Sequence, residues 1–157
     1  MTHNEVILLE AEFGVHFPSS YRRALTDLHP FTSPTRELDS DPVSLKLSNT
    51  AFRKTAPYGF PWQPAYWCIG DDGAGGFYFV NTSQDDSTVF YCDHEDMPES
   101  MDDEERLGVR PFAEFIQEVL YRKEQMRQWE EEMKSRVANR RWWQFWIPRQ
   151  WPPKRNG

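Results

Sequence analysis

The sequence predicts an α+β fold: a single antiparallel sheet with helices packed against it, followed by a long C-terminal helix and an aromatic tail. Three observations carry this. Three short strand signals arrive in quick succession between residues 66 and 92, each rich in β-branched or aromatic residues and separated by Gly, Asp and Ser turns. Apolar residues recur at helical spacing on both sides of that block. The chain has 157 residues, of which 38% are hydrophobic and 15% aromatic, enough for one domain with its own core and too rich in rings for a disordered chain.

Each element can be justified in order. Val6, Leu9 and Phe13 share one face of a short helix over residues 3–13, and Gly14 is a natural stop because glycine tolerates the left-handed conformation past a helix end. Pro18 is pre-organised for the first turn of a second helix, in which Tyr21, Leu25 and Leu28 recur and which Pro30 closes. Residues 31–42 read as a loop. Val43-Ser44-Leu45-Lys46-Leu47 alternates strictly and reads as a strand with one buried face. Residues 49–66, with Pro57, Gly59, Pro61 and Pro64 among several rings, read as an ordered connection with little regular structure. The segments 66–69, 76–81 and 88–92 then form an antiparallel meander with turns at Gly70-Asp71-Asp72-Gly73 and at residues 83–87. Pro111 opens the last helix, whose stripe is Phe112, Phe115, Ile116, Val119 and Leu120. Beyond residue 121 the stripe thins to Met126, Trp129 and Met133. The pairs Glu130–Lys134 and Glu132–Arg136 support an exposed extension. The expected division is a folded domain over 1–121 and a helical extension with a Trp/Arg-rich tail over 122–157.

Charge is informative once it is located. The whole chain carries −7, but residues 1–132 hold 11 of the 18 basic residues and all 25 acidic ones, a balance of −14, whereas residues 133–157 hold seven basic residues and no acidic one. An acidic body repels nucleic-acid backbones and attracts basic proteins, so no nucleic-acid partner is expected for it. Two cysteines, Cys68 and Cys92, sit in apolar strand-like runs and read as reduced core residues. The start, MTHNEVILLEAEF, has no basic region before its short apolar run, and no stretch approaches the roughly 20 apolar residues of a membrane span. A cytoplasmic location is expected.

The candidate chemistry is sparse. Gly70-Asp-Asp-Gly-Ala-Gly-Gly76 lacks the lysine of a phosphate loop, and its aspartates would repel a phosphate. It also lacks the ligand spacing of a calcium loop and reads as a hairpin turn. Asp93-His94-Glu95-Asp96 has metal-binding residue types without a second histidine or cysteine at ligand spacing, and neighbours on an extended chain point opposite ways. Nucleophilic catalysis needs a nucleophile, a base and an orienting group. Here the thiols lie in apolar runs and His3, His16, His29 and His94 are scattered. No cofactor, metal site or enzymatic activity is expected.

The order of motifs points further. Glu12-Phe13-Gly14 leads into Phe17-Pro18-Ser19-Ser20-Tyr21-Arg22-Arg23-Ala24-Leu25. Trp67-Cys68-Ile69-Gly70-Asp71-Asp72-Gly73 follows, then Gly76-Phe77-Tyr78-Phe79-Val80. Val89-Phe90-Tyr91 runs into His94-Glu95, and Phe112-Ala113-Glu114-Phe115-Ile116 closes the series. Over about residues 5–120 this resembles the SMI1/KNR4 (SUKH) family. Phe17 stands where a leucine is usual, and Phe79-Val80-Asn81 stands where Ile-Asp or Leu-Asp is common. The resemblance implies one antiparallel sheet with helices against it, and function by binding. Many bacterial members are immunity proteins that neutralise a toxin, often a nuclease or deaminase, while fungal members are regulatory scaffolds. It transfers no catalytic residue.

On that footing the best candidate surface is the segment 93–105, with eight acidic residues and no lysine or arginine. A nuclease toxin has a basic groove shaped for phosphate, which an acidic loop with aromatic anchors can fill. The partner-binding candidates are Glu95, Asp96, Glu99, Asp102 and Asp103, with Trp62, Phe90 and Tyr91 as anchors. The alternative for the same segment is a charged loop that serves solubility. The expected partner is a cognate toxin or another protein, and the chain is expected to be a monomer or homodimer. The tail, with Trp142, Trp143, Trp146 and Trp151 among arginines and prolines, suits burial against this body, a second copy or a partner. Contact with a membrane interface is its secondary reading.

Overall fold

The computed structural model describes residues 1–27, 36–84, 88–101, 103 and 106–138. The chain divides into two compact units, Met1–Lys123 and Glu124–Gly157. Pro30, the later part of the 83–87 turn, Asp102 and the four tail tryptophans lie outside the described residues.

Helix α1 spans His3–Phe13 and starts with a reciprocal cap: the Thr2 hydroxyl accepts from the Glu5 N–H while the Glu5 carboxylate accepts from the Thr2 N–H. Gly14, at φ 63°, ends it. Helix α2 spans Ser19–Asp27 and buries Tyr21, Ala24 and Leu25. The buried Glu10 joins the two helices, accepting from the Phe17 N–H at 2.7 Å and from Arg22 Nη2 at 2.6 Å.

The expected strand at Val43–Leu47 is instead part of helix α3, Pro42–Lys54. The Asp41 carboxylate caps it by accepting from the Ser44 N–H at 2.9 Å, and Pro42 occupies the first turn. The alternation is coincidental. Leu45 is buried, whereas Val43 and Leu47, one helical turn apart, are 63% and 66% exposed. The inward face runs through Leu45 and Asn49, four residues apart as a helix requires. A short 3₁₀ turn, Pro57–Gly59, follows.

The sheet is an antiparallel meander in the order β1 (Tyr66–Asp71), β2 (Phe77–Asn81), β3 (Thr88–Cys92), β4 (Gly108–Pro111). Both faces are covered. Trp67, Ile69, Tyr78, Val80 and Val89 pack with α1, α2 and the first turns of α4 (Phe112–Ala138), while Tyr66, Cys68, Phe77, Phe79 and Cys92 pack with Phe60 and Leu107. This double burial explains why β1 and β2 read as continuous apolar runs. β4 carries no such signal. It has four residues, and its Val109 is exposed.

The outer edge of β1 is closed by side chain and backbone rather than by a fifth strand. The Asn49 amide donates to the Cys68 carbonyl at 2.9 Å and accepts from the Cys68 N–H at 2.8 Å. Further along, Asp39 N–H donates to the Ile69 carbonyl at 2.7 Å and Asp71 N–H to the Arg36 carbonyl at 2.9 Å. Gly70 permits this approach, because a Cβ there would stand 2.3 Å from the carbonyl oxygens of Arg36 and Glu37. Glu37 is buried and its carboxylate accepts from Arg122 of α4.

Candidate functional site

The pairing register places two connections at one end of the sheet. Asp71 at the end of β1 pairs with Phe77 at the start of β2, Phe77 pairs with Cys92 at the end of β3, and Tyr91 pairs with Gly108 at the start of β4. The turn over 72–76 and the acidic connection over 93–107 therefore emerge side by side.

Asp72 organises the turn. Its carboxylate accepts from the N–H groups of Ala74 (2.8 Å) and Gly75 (3.0 Å) and from the Tyr91 hydroxyl (2.8 Å). Burial opposes its charge, but the bonds from Ala74, Tyr91, Gly75 and Gly76 outweigh burial and hold this carboxyl below its ordinary pKa. Burial, and then the Asp72 carboxylate, push the Tyr91 phenol upward, so it stays a donor. Gly75, at φ 117°, lies beneath the His94 ring, which would stand 2.9 Å from a Cβ at that position. The His94 ring also tilts against Tyr58, centroids 5.7 Å apart. His94 thus fastens the acidic connection to the glycine turn.

The acidic connection has internal ties of its own. Asp93 accepts from the Glu95 N–H at 2.9 Å, Asp103 accepts from the Glu99 N–H at 3.3 Å, and Asp96 pairs with Arg106 at 3.2 Å. Asp93 and Glu95 lie 3.5 and 3.9 Å from the two ring nitrogens of His94. Glu95, Asp96 and Glu99 face solvent, and Asp103 is half-buried. Between the turn and α3 opens a cavity of about 310 Å³ lined in part by Arg36, Asp39, Ser48, Tyr58 and Asp71.

The proposed anchors occupy different positions. Trp62 is half-buried in a ring cluster with Phe52, Tyr66, Phe77 and Phe79, at centroid distances of 5.0, 5.7, 5.9 and 5.4 Å. Phe90 stacks on Phe79 at 5.1 Å, and Tyr91 packs on Tyr78 at 4.8 Å with its hydroxyl committed to Asp72. Trp62 and Phe90 share a cluster with Met97 and Met101 of the acidic connection, whereas Tyr91 packs on the other face of the sheet; all three are half-buried. The ring that stands out from the surface at this end is Tyr58, 63% exposed and held at φ 49°. Sequence reasoning missed it. Its only signal was a position between Pro57 and Gly59 in the aromatic-rich link.

Among the described residues no group of three or more His, Cys, Asp or Glu is placed to hold a metal ion. The thiols of Cys68 and Cys92 are free and buried, and burial pushes each up to about 12. Among the described residues no helix is long and apolar enough to cross a membrane.

The fold and this sheet end define a small α+β domain whose distinctive surface is an acidic connection pinned to a glycine turn. The model of the SMI1 / KNR4 family (SUKH-1) matches residues 1–118, and the chain belongs to that family. No curated protein and no solved structure matches the chain.

Proposed function

We propose that the chain is an immunity-type protein that neutralises a basic, nuclease-like toxin by covering its active-site groove with the acidic end of the sheet. The observation that carries this reading is the convergence at that end of Asp71, Asp93, Glu95, Asp96 and Glu99, framed by the exposed Tyr58. Such an end presents fixed negative charge to a groove built for phosphate, and Tyr58 offers the aromatic contact that binding hot spots favour. The turn and His94 pre-organise the loop, so less ordering is needed on binding. Asp102 and Asp103 belong to the same connection and add to its charge.

The partner is expected among the products of neighbouring genes, as a basic toxin domain. Charge reversal at Glu95, Asp96 and Glu99 is expected to slow association with that domain by at least about tenfold at low salt, and to flatten the salt dependence of the rate. An association rate equal to that of the unaltered chain would remove this surface from the reading.

A regulatory-scaffold role is the second reading. The residues that favour it are those of the C-terminal segment, whose charge and tryptophan content occlusion of a basic toxin does not use.

A further inference from the structure

Helices α1 and α3 pack against each other within the unit Met1–Lys123 and leave an open groove of about 680 Å³ between their outer faces. Its apolar lining is aliphatic. Leu8 stands out from α1, and Val43 and Leu47, one turn apart, stand out from α3. Leu8 is 67% exposed, and the other two nearly as much. The core is served instead by Val6 and Leu9 of α1 and by Leu45 of α3. The charges are sorted by wall. The α1 side carries Glu5 and Glu12, about two turns apart, and the α3 side carries Lys46 and Lys54, just over two turns apart. These four charges cancel, on a body that holds −14 over residues 1–132. Lys46 reaches Glu12 at 2.5 Å, so the two stand at one level of the groove.

We propose that this groove is the interface of a homodimer, in which a second copy lies face to face about a two-fold axis running along the groove. Such an axis exchanges the two walls, so the acidic wall of each copy meets the basic wall of the other. Glu12 of each copy then meets Lys46 of the other, and Leu8, Val43 and Leu47 of both are buried between them. Removing these aliphatic side chains from water supplies the affinity, and the charges set the orientation. Over the rest of an acidic body two copies repel; here the local charge is balanced and complements itself. The same balance disfavours other occupants. A basic protein finds no net charge to draw it, and a nucleic acid or an anionic lipid surface finds no excess of lysine. The proposal is independent of toxin occlusion: it uses none of the residues assigned to the toxin, and it is read on the chain alone.

The test is sedimentation velocity of the full chain over a range of concentrations. A rise from monomer to dimer mass through the micromolar range is expected. The variant L8E/L47E is expected to dimerise at least about thirtyfold more weakly, as the loss of central apolar contacts does. Both side chains are exposed in the single chain, so its far-ultraviolet circular dichroism should be unchanged. The variant E12K sets like charges opposite each other across the interface, and so does K46E. Each alone is expected to dimerise at least about tenfold more weakly. An equal mixture of the two is expected to recover the dimer as a heterodimer, because the altered positions then meet as opposites. Mixing cannot repair the pair within one chain, so recovery reports contact between copies. A chain that stays monomeric at every concentration, its groove filled by its own C-terminal segment or left to another protein, would overturn the proposal. So would a dimer indifferent to L8E/L47E, or a mixture that associates no better than its parts.

Discussion

Replacing Asn49 with leucine is expected to lower stability by about 3 kcal/mol, because it strands two buried peptide groups. Asn49 is fully buried on the inner face of α3. Its amide donates to the carbonyls of Leu45 and Cys68 and accepts from the Cys68 N–H, so it serves β1 as a neighbouring strand would. Leucine has nearly the right volume but none of the bonding. The Cys68 N–H and C=O would then lie out of reach of water, each at a cost of roughly 1–3 kcal/mol. For a chain of this size, urea unfolding should show a lowered midpoint, and Tm should fall by roughly 6–12 °C. A change below about 0.5 kcal/mol, the range of an ordinary surface substitution, would mean that α3 is not tied to β1 through this amide.

The second large effect is expected at Gly70. A methyl group there meets the carbonyl oxygens of Arg36 and Glu37 at 2.3 Å, and the obstacle is backbone, which cannot swing aside as a side chain can. Gly70→Ala should therefore push the 36–39 segment off the edge of β1 and weaken the bonds from Asp39 to Ile69 and from Asp71 to Arg36. The expected loss is about 3 kcal/mol, at the upper end of what overpacking costs. Amide exchange gives the more specific readout, with protection lost at Asp39 and Asp71 before it is lost in β2 and β3. The same displacement would move Arg36 and Asp39, which line the cavity between the 72–76 turn and α3.

The parts of the fold legible in the sequence are those where burial and period agree. β2 and β3 emerged because rings and β-branched residues cluster between obvious turns, and the start of α4 because Phe112, Phe115 and Val119 are all buried at helical spacing. α3 was misread for a physical reason. Three apolar residues two apart mimic a strand, and only the partners reveal that Leu45 alone of the three faces the core. The capping pair Asp41-Pro42 was the overlooked sign of a helix start. β4 was illegible because its pairing with β3 is a backbone property, and four residues with an exposed valine leave no pattern.

The candidate site was legible only in composition. The density of carboxylates over 93–105 was plain. That this segment lies beside the 72–76 turn follows from strand register, which no local pattern encodes. The role of His94 as a fastener is likewise tertiary, since it rests on contacts with Gly75 and Tyr58 far away in sequence. Trp62, Phe90 and Tyr91 drew attention as rings near acids; each packs on neighbouring rings and stays half-buried, Trp62 and Phe90 on one face of the sheet and Tyr91 on the other, an arrangement that aromaticity alone does not encode.

Amide hydrogen exchange of the chain alone and in complex with a basic toxin domain, the partner proposed for it, tests the central claim most directly. Binding at the acidic sheet end predicts new protection over residues 72–76 and 93–99 and at Tyr58, with the α1–α3 surface around Leu8 and Leu47 unchanged. Protection confined to that helical surface, with the turn and the acidic connection exchanging as in the free chain, would contradict it.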